Sequence, residues 1–457
     1  MEPRILDARF ERSDRATIRA LQFEKLRALL DKAWATNDFY RGHWSAAGAA
    51  PDRVASLEDF TARIPPVRKA DFIADQERDP PYGRRTAHAR GQREPLTVFT
   101  TSGTTGQGVE VHVETEAERV ATFQVSDYLY RWAGLERGDA IFLNFPVTLL
   151  GGGRIELLGL EHYGLTVFPV GNYDVRRKLE LLDRFRPQAI QSTTSYLGHL
   201  AAVSDKRPPC ASLKVLFGGG EGGGFSWFER LQEDWQVPVF NQYGATQTRV
   251  DNMYPCERGI GSRDRPGLLH NIDPYFLLEV IDPKSGRQVA DGEAGEIVLT
   301  SLVHTEVPLI RCAMGDLAVY HDPTYCTCGR PFAGVEIGTI GRMDDMVKVK
   351  GINVWPQAVD DVIFETPEID EYQIVISSSA DAADVITARV MPTAEMGGET
   401  AAAFAASLGE RLRGRIGIRF RVELVPPGSL ERSEYKARRW RDTRGRRPCG
   451  PAGDSRG

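Results

Sequence analysis

Apolar residues recur at helical spacing over residues 14–36, where Ile18, Leu21, Leu26, Leu29, Leu30 and Ala33 share a face and charges fill the gaps. That spacing predicts an amphipathic helix. Apolar runs at 140–146, 165–170, 189–192 and 213–217 predict buried strands, and helical patterns at 115–132, 175–185 and 196–203 alternate with them. Such alternation implies parallel sheet layers with helices outside. Residues 277–300 read differently, as strand, turn and strand about Asp282-Pro283-Lys284-Ser285-Gly286-Arg287, which predicts a β-rich subdomain. Beyond residue 344 the pattern is compact α+β, with helices at 358–364 and 399–416 and strands at 372–377, 385–390 and 421–425. The expectation is an α/β protein: a large N-terminal domain over 1–343, a small C-terminal α+β domain over 344–442, and a disordered Gly-, Arg- and Pro-rich tail at 443–457.

Composition narrows the function. A chain of 457 residues holds more than one domain and a large core. A formal net charge of −6 argues against a general nucleic-acid binder. No apolar run reaches the ~18 residues of a membrane span, and Met1-Glu2-Pro3-Arg4 leads into charged sequence without a signal region, so the cytoplasm is expected. Six cysteines in so long a chain suggest reduced thiols, and Cys326-Thr327-Cys328-Gly329 hints at a metal.

Three stretches carry candidate chemistry. Thr100-Thr101-Ser102-Gly103-Thr104-Thr105-Gly106-Gln107-Gly108 lies between two β-prone runs, the second of which, Val109 to Val113, puts Val on one face. Its glycines let the backbone bend around an anion while the hydroxyls donate hydrogen bonds. A loop between two strands is not the Walker geometry, and the Walker pattern is absent. Gly218 to Gly224 follows a strand and holds six glycines, leaving room for a flat ring where open α/β sheets bind ligands. The strand at 237–243 delivers Tyr243, an aromatic able to stack on adenine, and Gly244 and Thr246 put a turn and a hydroxyl near phosphates.

These stretches resemble the motifs of the adenylate-forming superfamily, which holds acyl-CoA synthetases, adenylation domains and luciferases. The resemblance extends to Pro308-Leu309-Ile310-Arg311-Cys312-Ala313-Met314-Gly315-Asp316, to Gly341-Arg342-Met343-Asp344-Asp345-Met346 continuing to Pro356, and to Leu430-Glu431-Arg432-Ser433-Glu434-Tyr435-Lys436. It covers roughly residues 65–442 and is nearest to the phenylacetate–CoA ligase branch. It implies that ATP activates a carboxylic acid, aryl or arylacetic, to acyl-AMP, and that CoA then takes the acyl group. An amine or a carrier-protein thiol is the alternative acceptor, a nucleotide-binding protein with attenuated catalysis the other alternative, and a homodimer is left open.

By the same resemblance, Thr101, Ser102, Gly103, Thr104, Thr105 and Gly106 form the phosphate loop, and Gly219, Gly220 and Glu221 line the adenine and acyl pockets. Tyr243, Gly244 and Gln247 bind nucleotide, Asp316 takes the ribose hydroxyls, and Arg342 contacts ribose or phosphate. Lys436, Thr246 and Arg342 are the catalytic residues, and Asp344 is the hinge of a mobile C-terminal domain. The family's phosphate-loop Lys is Gln107 here, and its magnesium-holding Glu is Gln247, a weaker partner for Mg2+. Some members bind structural zinc; here the ligand set would be Cys256, His270, Cys326 and Cys328.

Overall fold

The computed structural model describes residues 3–91, 93–101, 109–204, 211–350, 352–378, 384–430 and 439–444. Ser102, Gly103, Thr104, Thr105, Gly106 and Lys436 from the expected site lie outside the described residues, as does the tail from 445 onward. The chain divides into two compact units, Met1–Asp344 and Asp345–Gly457.

In the first unit the helix Arg15–Thr36 forms where the periodicity puts it, its N-terminus capped by the Asp14 carboxylate accepting from Thr17 N. Leu26, Leu29, Leu30 and Ala33 bury against Trp44, Phe60, Ile64, Leu309 and Ile310. Gln22, a polar residue inside the stripe, is also buried and donates to Asp273 O and Phe276 O, satisfying a turn carbonyl and that of the first residue of the following strand.

Strands β1 (Leu96–Thr100) and β2 (Val111–Thr115) pair antiparallel, with Thr100 opposite Val111. Thr115 then caps the helix Glu116–Ala133 through a reciprocal box with Glu118. Next comes an all-parallel five-stranded sheet. Its strands are β3 (Ala140–Leu143), β4 (Thr166–Pro169), β5 (Ala189–Thr193), β6 (Val215–Gly219) and β7 (Val239–Asn241), in the order β4-β3-β5-β6-β7. The connecting helices are Gly151–Tyr163, Val175–Phe185, Thr194–Val203 and Phe225–Trp235.

One expected strand is two. The run predicted to carry Tyr243 breaks at Gln242, whose backbone N–H still bonds Gly218 O on β6. Tyr243 itself opens β8 (Tyr243–Ala245), which belongs to a different, eight-stranded sheet and pairs with β9 (Val250–Pro255). An apolar pattern cannot register a change of partner sheet, because both sheets bury the same residues. The rest of the eight-stranded sheet comprises Phe276–Ile281, Ala294–Ser301, Cys312–His321, Gly334–Glu336 and Leu268–Asn271, with Gly341–Arg342 paired to Cys312–His321. It is the β-rich subdomain.

The second unit holds a hairpin, Val347–Val349 with Ile352–Val354, and a four-stranded sheet ordered Arg421–Leu424, Asp384–Pro392, Ile369–Ser378, Trp440–Asp442. The helices Pro356–Phe364 and Gly398–Ile416 accompany it. The edge strand Trp440–Asp442 runs parallel to Ile369–Ser378, and Thr443 N–H continues the ladder to Ile376 O. Only three residues long, it gives no periodic signal in the sequence.

Candidate active site

The break at Gln242 puts two sheets in contact at one place. Gly218 and Gly219 end β6 beneath it, where a side chain would force its neighbours to shift: a Cβ on Gly219 would stand 2.7 Å from Gln242 Cγ, and one on Gly218 2.6 Å from Thr194 Cγ2. Gly220 follows with φ +75, in the left-handed region that favours glycine. Gly244 is required for a similar reason. It lies opposite Asp251 in the ladder, and its Cβ would fall 2.1 Å from Asp251 Oδ1.

Below this floor is a buried polar cluster that sequence reasoning missed. Gln191 donates to Glu156 Oε2 at 2.5 Å, and Gln242 donates to Glu156 Oε1 at 3.2 Å. Burial, together with the neighbouring Asp251 carboxylate, pushes the Glu156 carboxyl well above its ordinary range. Burial pushes Asp251 up to about 6. Two acids in contact away from water hold a proton between them, since both cannot ionise there.

Tyr243, 7% exposed, donates its hydroxyl to Asp316 Oδ2 at 2.7 Å. Burial, reinforced by the Asp316 charge, keeps the phenol far above its ordinary pKa, so it stays a donor. Strand pairing sets Asp316 opposite Arg342, whose Nε stands 3.8 Å from Asp316 Oδ1. Tyr243, Asp316 and Arg342 therefore meet, although 99 residues separate the first from the last in sequence. Thr246 lies in the turn after β8, its Oγ1 3.4 Å from where a Gly151 Cβ would be, at the start of the helix Gly151–Tyr163. Glu221 does something more local: its carboxylate accepts from Ser195 N at 2.5 Å and Thr194 Oγ1 at 3.2 Å, capping the helix that follows β5. Asp344 is the last residue of the first unit.

Thr101 closes the base of the phosphate-loop stretch. Its N–H donates to Glu110 O, and its hydroxyl accepts from Glu110 N at 3.0 Å. The Glu110 side chain turns inward and is fully buried. Gln247 Nε2 donates to both its oxygens, at 3.1 and 2.9 Å. Glu110 just before β2, and His112 and Glu114 on it, alternate on a face at least as buried as that of Val111 and Val113, because a protein layer covers both sides. The Glu-Val-His-Val-Glu alternation was the signal, but it reads by default as a solvated polar face.

The polarity of that relay follows from donor chemistry. Arg85 Nη2 lies 2.8 Å from His112 Nδ1, and a guanidinium only donates, so Nδ1 accepts and the ring proton is on Nε2. Nε2 faces Glu110 Oε1 at 3.4 Å. Burial, with the Arg85 charge, lowers His112 to about 4, so the ring is neutral. For Glu110, burial acts upward, but His112, Gln247 and Lys69 at 3.7 Å outweigh it and hold the carboxylate below its ordinary range.

A second cluster lies in the β-rich part. Cys256 follows β9, His270 sits on the strand Leu268–Asn271, and Cys326 and Cys328 follow a short 3-10 turn. One ligand atom from each falls within 4.8 Å of the others. Cys256 and Cys326 sulfurs are 3.7 Å apart, and Cys328 Sγ is 3.6 Å from His270 Nε2. A tetrahedron of ~2.3 Å zinc–sulfur bonds has sulfurs ~3.8 Å apart, so the donor set fits that ion. His270 Nδ1 lies 3.0 Å from Phe332 O, a bond that keeps its proton there and turns Nε2 toward the thiols. Among the described residues no disulfide forms, and no helix is long and apolar enough to cross a membrane.

With this geometry the chain belongs to the AMP-binding enzyme family, whose model matches residues 43–302, while that of the AMP-binding enzyme C-terminal domain matches residues 351–444. Its curated relatives within that class include several phenylacetate-coenzyme A ligases. The ligase of Thermus thermophilus is 32% identical, covering 94% of this chain and 97% of the relative. That of Pseudomonas putida is 28% identical, covering 92% and 93%. The crystal structure of 2-hydroxyisobutyryl-CoA ligase in the postadenylation state with 2-HIB-AMP superposes with a TM-score of 0.87 at 28% identity, covering 95% of this chain and 91% of that one.

Proposed function

We propose that this protein is an AMP-forming acid–CoA ligase of the phenylacetate–CoA ligase kind, acting on an aryl or arylacetic acid. The observation that carries the reading is the junction of Tyr243, Asp316 and Arg342 at the glycine-rich end of β6. A carboxylate oxygen of the acid attacks the α-phosphorus of ATP, the bond to the β-phosphate oxygen breaks, and pyrophosphate leaves. The CoA thiolate then attacks the acyl carbon, the carbon–oxygen bond to phosphate breaks, and AMP leaves.

In this chain Asp316 Oδ1 accepts from the ribose, and Tyr243 holds Oδ2 so that the carboxylate cannot turn away. Arg342 is a positive charge beside ribose and phosphate. Thr246 and Thr101 offer hydroxyls to phosphate oxygens, and the backbone at Gly219 and Gly220 admits a flat base or acyl group at close range. Lys436, which lies outside the described residues, supplies a positive charge to the α-phosphate during adenylation. Magnesium bound at the phosphates would neutralise the charge of the leaving pyrophosphate. The Cys256, His270, Cys326 and Cys328 set would hold a structural zinc, closed on four sides and without a position for substrate. The deciding experiment is pyrophosphate release over a panel of carboxylic acids, with and without CoA. Acid-dependent release that CoA converts to thioester supports the reading; release without thioester points to another acceptor.

A further inference from the structure

We propose that Glu110 is a positioning residue for the cation that accompanies the nucleotide: it fixes Gln247 by the amide nitrogen, leaving the carbonyl oxygen as the ligand atom, and lends that oxygen the charge residue 247 lacks. This rests on the reading of the site as an ATP site. By the resemblance, Gln247 stands where the family's magnesium-holding acid would be, and in this sequence residue 247 brings no negative charge to the site.

The structure puts a carboxylate directly behind it. Both Glu110 oxygens accept from Gln247 Nε2, at 3.1 and 2.9 Å, and a carboxylate cannot accept from a carbonyl oxygen, so the amide has one orientation. A charged acceptor on the N–H side of an amide polarises it and raises the electron density on its oxygen. This is the logic by which carboxylates behind metal-bound histidines orient a ligand and strengthen it as a base.

The support behind Glu110 is itself fixed. Arg85 sets the His112 tautomer, His112 presents Nε2–H to Glu110, and all three side chains are buried. Glu110 N–H and C=O are both engaged by Thr101, so the carboxylate is anchored at the base of the phosphate-loop stretch and spans from there to the turn that carries Gln247. The negative charge sits on residue 110, where Lys69 Nζ at 3.7 Å also pairs with it, and acts on residue 247 through the amide between them.

The test is a titration of Mn2+ followed by electron paramagnetic resonance, with α,β-methylene-ATP present, after AMP affinity has been measured without metal. Glu110→Gln and Gln247→Met should each weaken Mn2+ about tenfold, the lower end for loss of a residue supporting a metal ligand, with metal-free AMP affinity unchanged in Glu110→Gln. Gln247→Glu alone should bring no gain, because two carboxylates about 3 Å apart retain a proton between them. The exchange Glu110→Gln with Gln247→Glu should return Mn2+ affinity to the wild-type value. Unchanged Mn2+ affinity in Glu110→Gln, or an exchange variant as weak as the single ones, would overturn the proposal. Should Glu110→Gln not fold, the two variants at half-buried Gln247 decide: a gain on Gln247→Glu, or no loss on Gln247→Met, overturns it equally. Failure of the wild type to bind AMP would instead overturn the reading of the site.

Discussion

The Tyr243 hydroxyl donates to Asp316 Oδ2 at 2.7 Å and leaves Oδ1 facing Arg342 at 3.8 Å. A carboxylate with one oxygen tied down presents the other in a fixed direction. Tyr243→Phe removes a hydrogen bond to a charged group, worth roughly 1.5 kcal/mol or more. AMP should therefore bind about tenfold more weakly to that variant by calorimetry, with its melting temperature lowered by only a few degrees. Equal AMP affinity would mean that Asp316 is oriented by Arg342 alone.

The pair of buried Glu156 and half-buried Asp251 makes stability depend on pH. Both carboxyls are raised in the folded protein, Asp251 to about 6, while in the unfolded chain each titrates near ~4. Between those values the folded protein holds protons that the unfolded chain has released. Stability from the pair is thus full below pH ~4 and falls as pH rises through 6. Urea midpoints of the wild type and of Glu156→Gln/Asp251→Asn should diverge with increasing pH, the wild type losing on the order of 2 kcal/mol relative to the variant. Parallel profiles would show that the pair is not protonated in the fold.

Gly244 tests how tightly the floor of the site is packed. A Cβ there would meet Asp251 Oδ1 at 2.1 Å and the Asp251 Cα at 2.4 Å, and the second of these is backbone that cannot rotate away. Gly244→Ala should lower the melting temperature by several degrees, as overpacking of 1–3 kcal/mol does, and should weaken AMP binding, because Tyr243 and Thr246 flank the displaced strand.

The Cys256, His270, Cys326 and Cys328 cluster should carry metal. Protein purified without added metal should contain about one zinc per chain by elemental analysis, and chelation should lower its melting temperature without altering the turnover of the folded fraction. Free thiols at all three cysteines in metal-free, equally stable protein would remove zinc from the account.

Lys436→Ala should slow acyl-AMP formation by on the order of a hundredfold, the scale of losing one charge contact in the transition state. Thioester formation from supplied acyl-AMP should proceed at nearly the wild-type rate. An unchanged adenylation rate would move the role to a neighbouring cation such as Arg438.

Much of this protein was legible in its sequence, because periodicity is a local property. The stripe Ile18 to Ala33, the capped helix after Thr115 and the strands around 141, 190 and 216 each follow from residues close together in the chain. The resemblance, which rests on local motifs, likewise named Tyr243, Asp316 and Arg342 as candidate site residues and Cys256, His270, Cys326 and Cys328 as a candidate metal set. What tertiary structure alone decided is which groups face one another. Gln242 ends one sheet and Tyr243 begins another, a change to which burial pattern is blind. Glu156 meets Asp251 95 residues away, and their shared proton depends on the absence of water, which no local pattern reports. Gln247 reads in sequence as a lost charge. In the fold Glu110 stands behind its amide, because charge acts through space, and the distance between residues 110 and 247 is set by packing and not by the 137 positions between them.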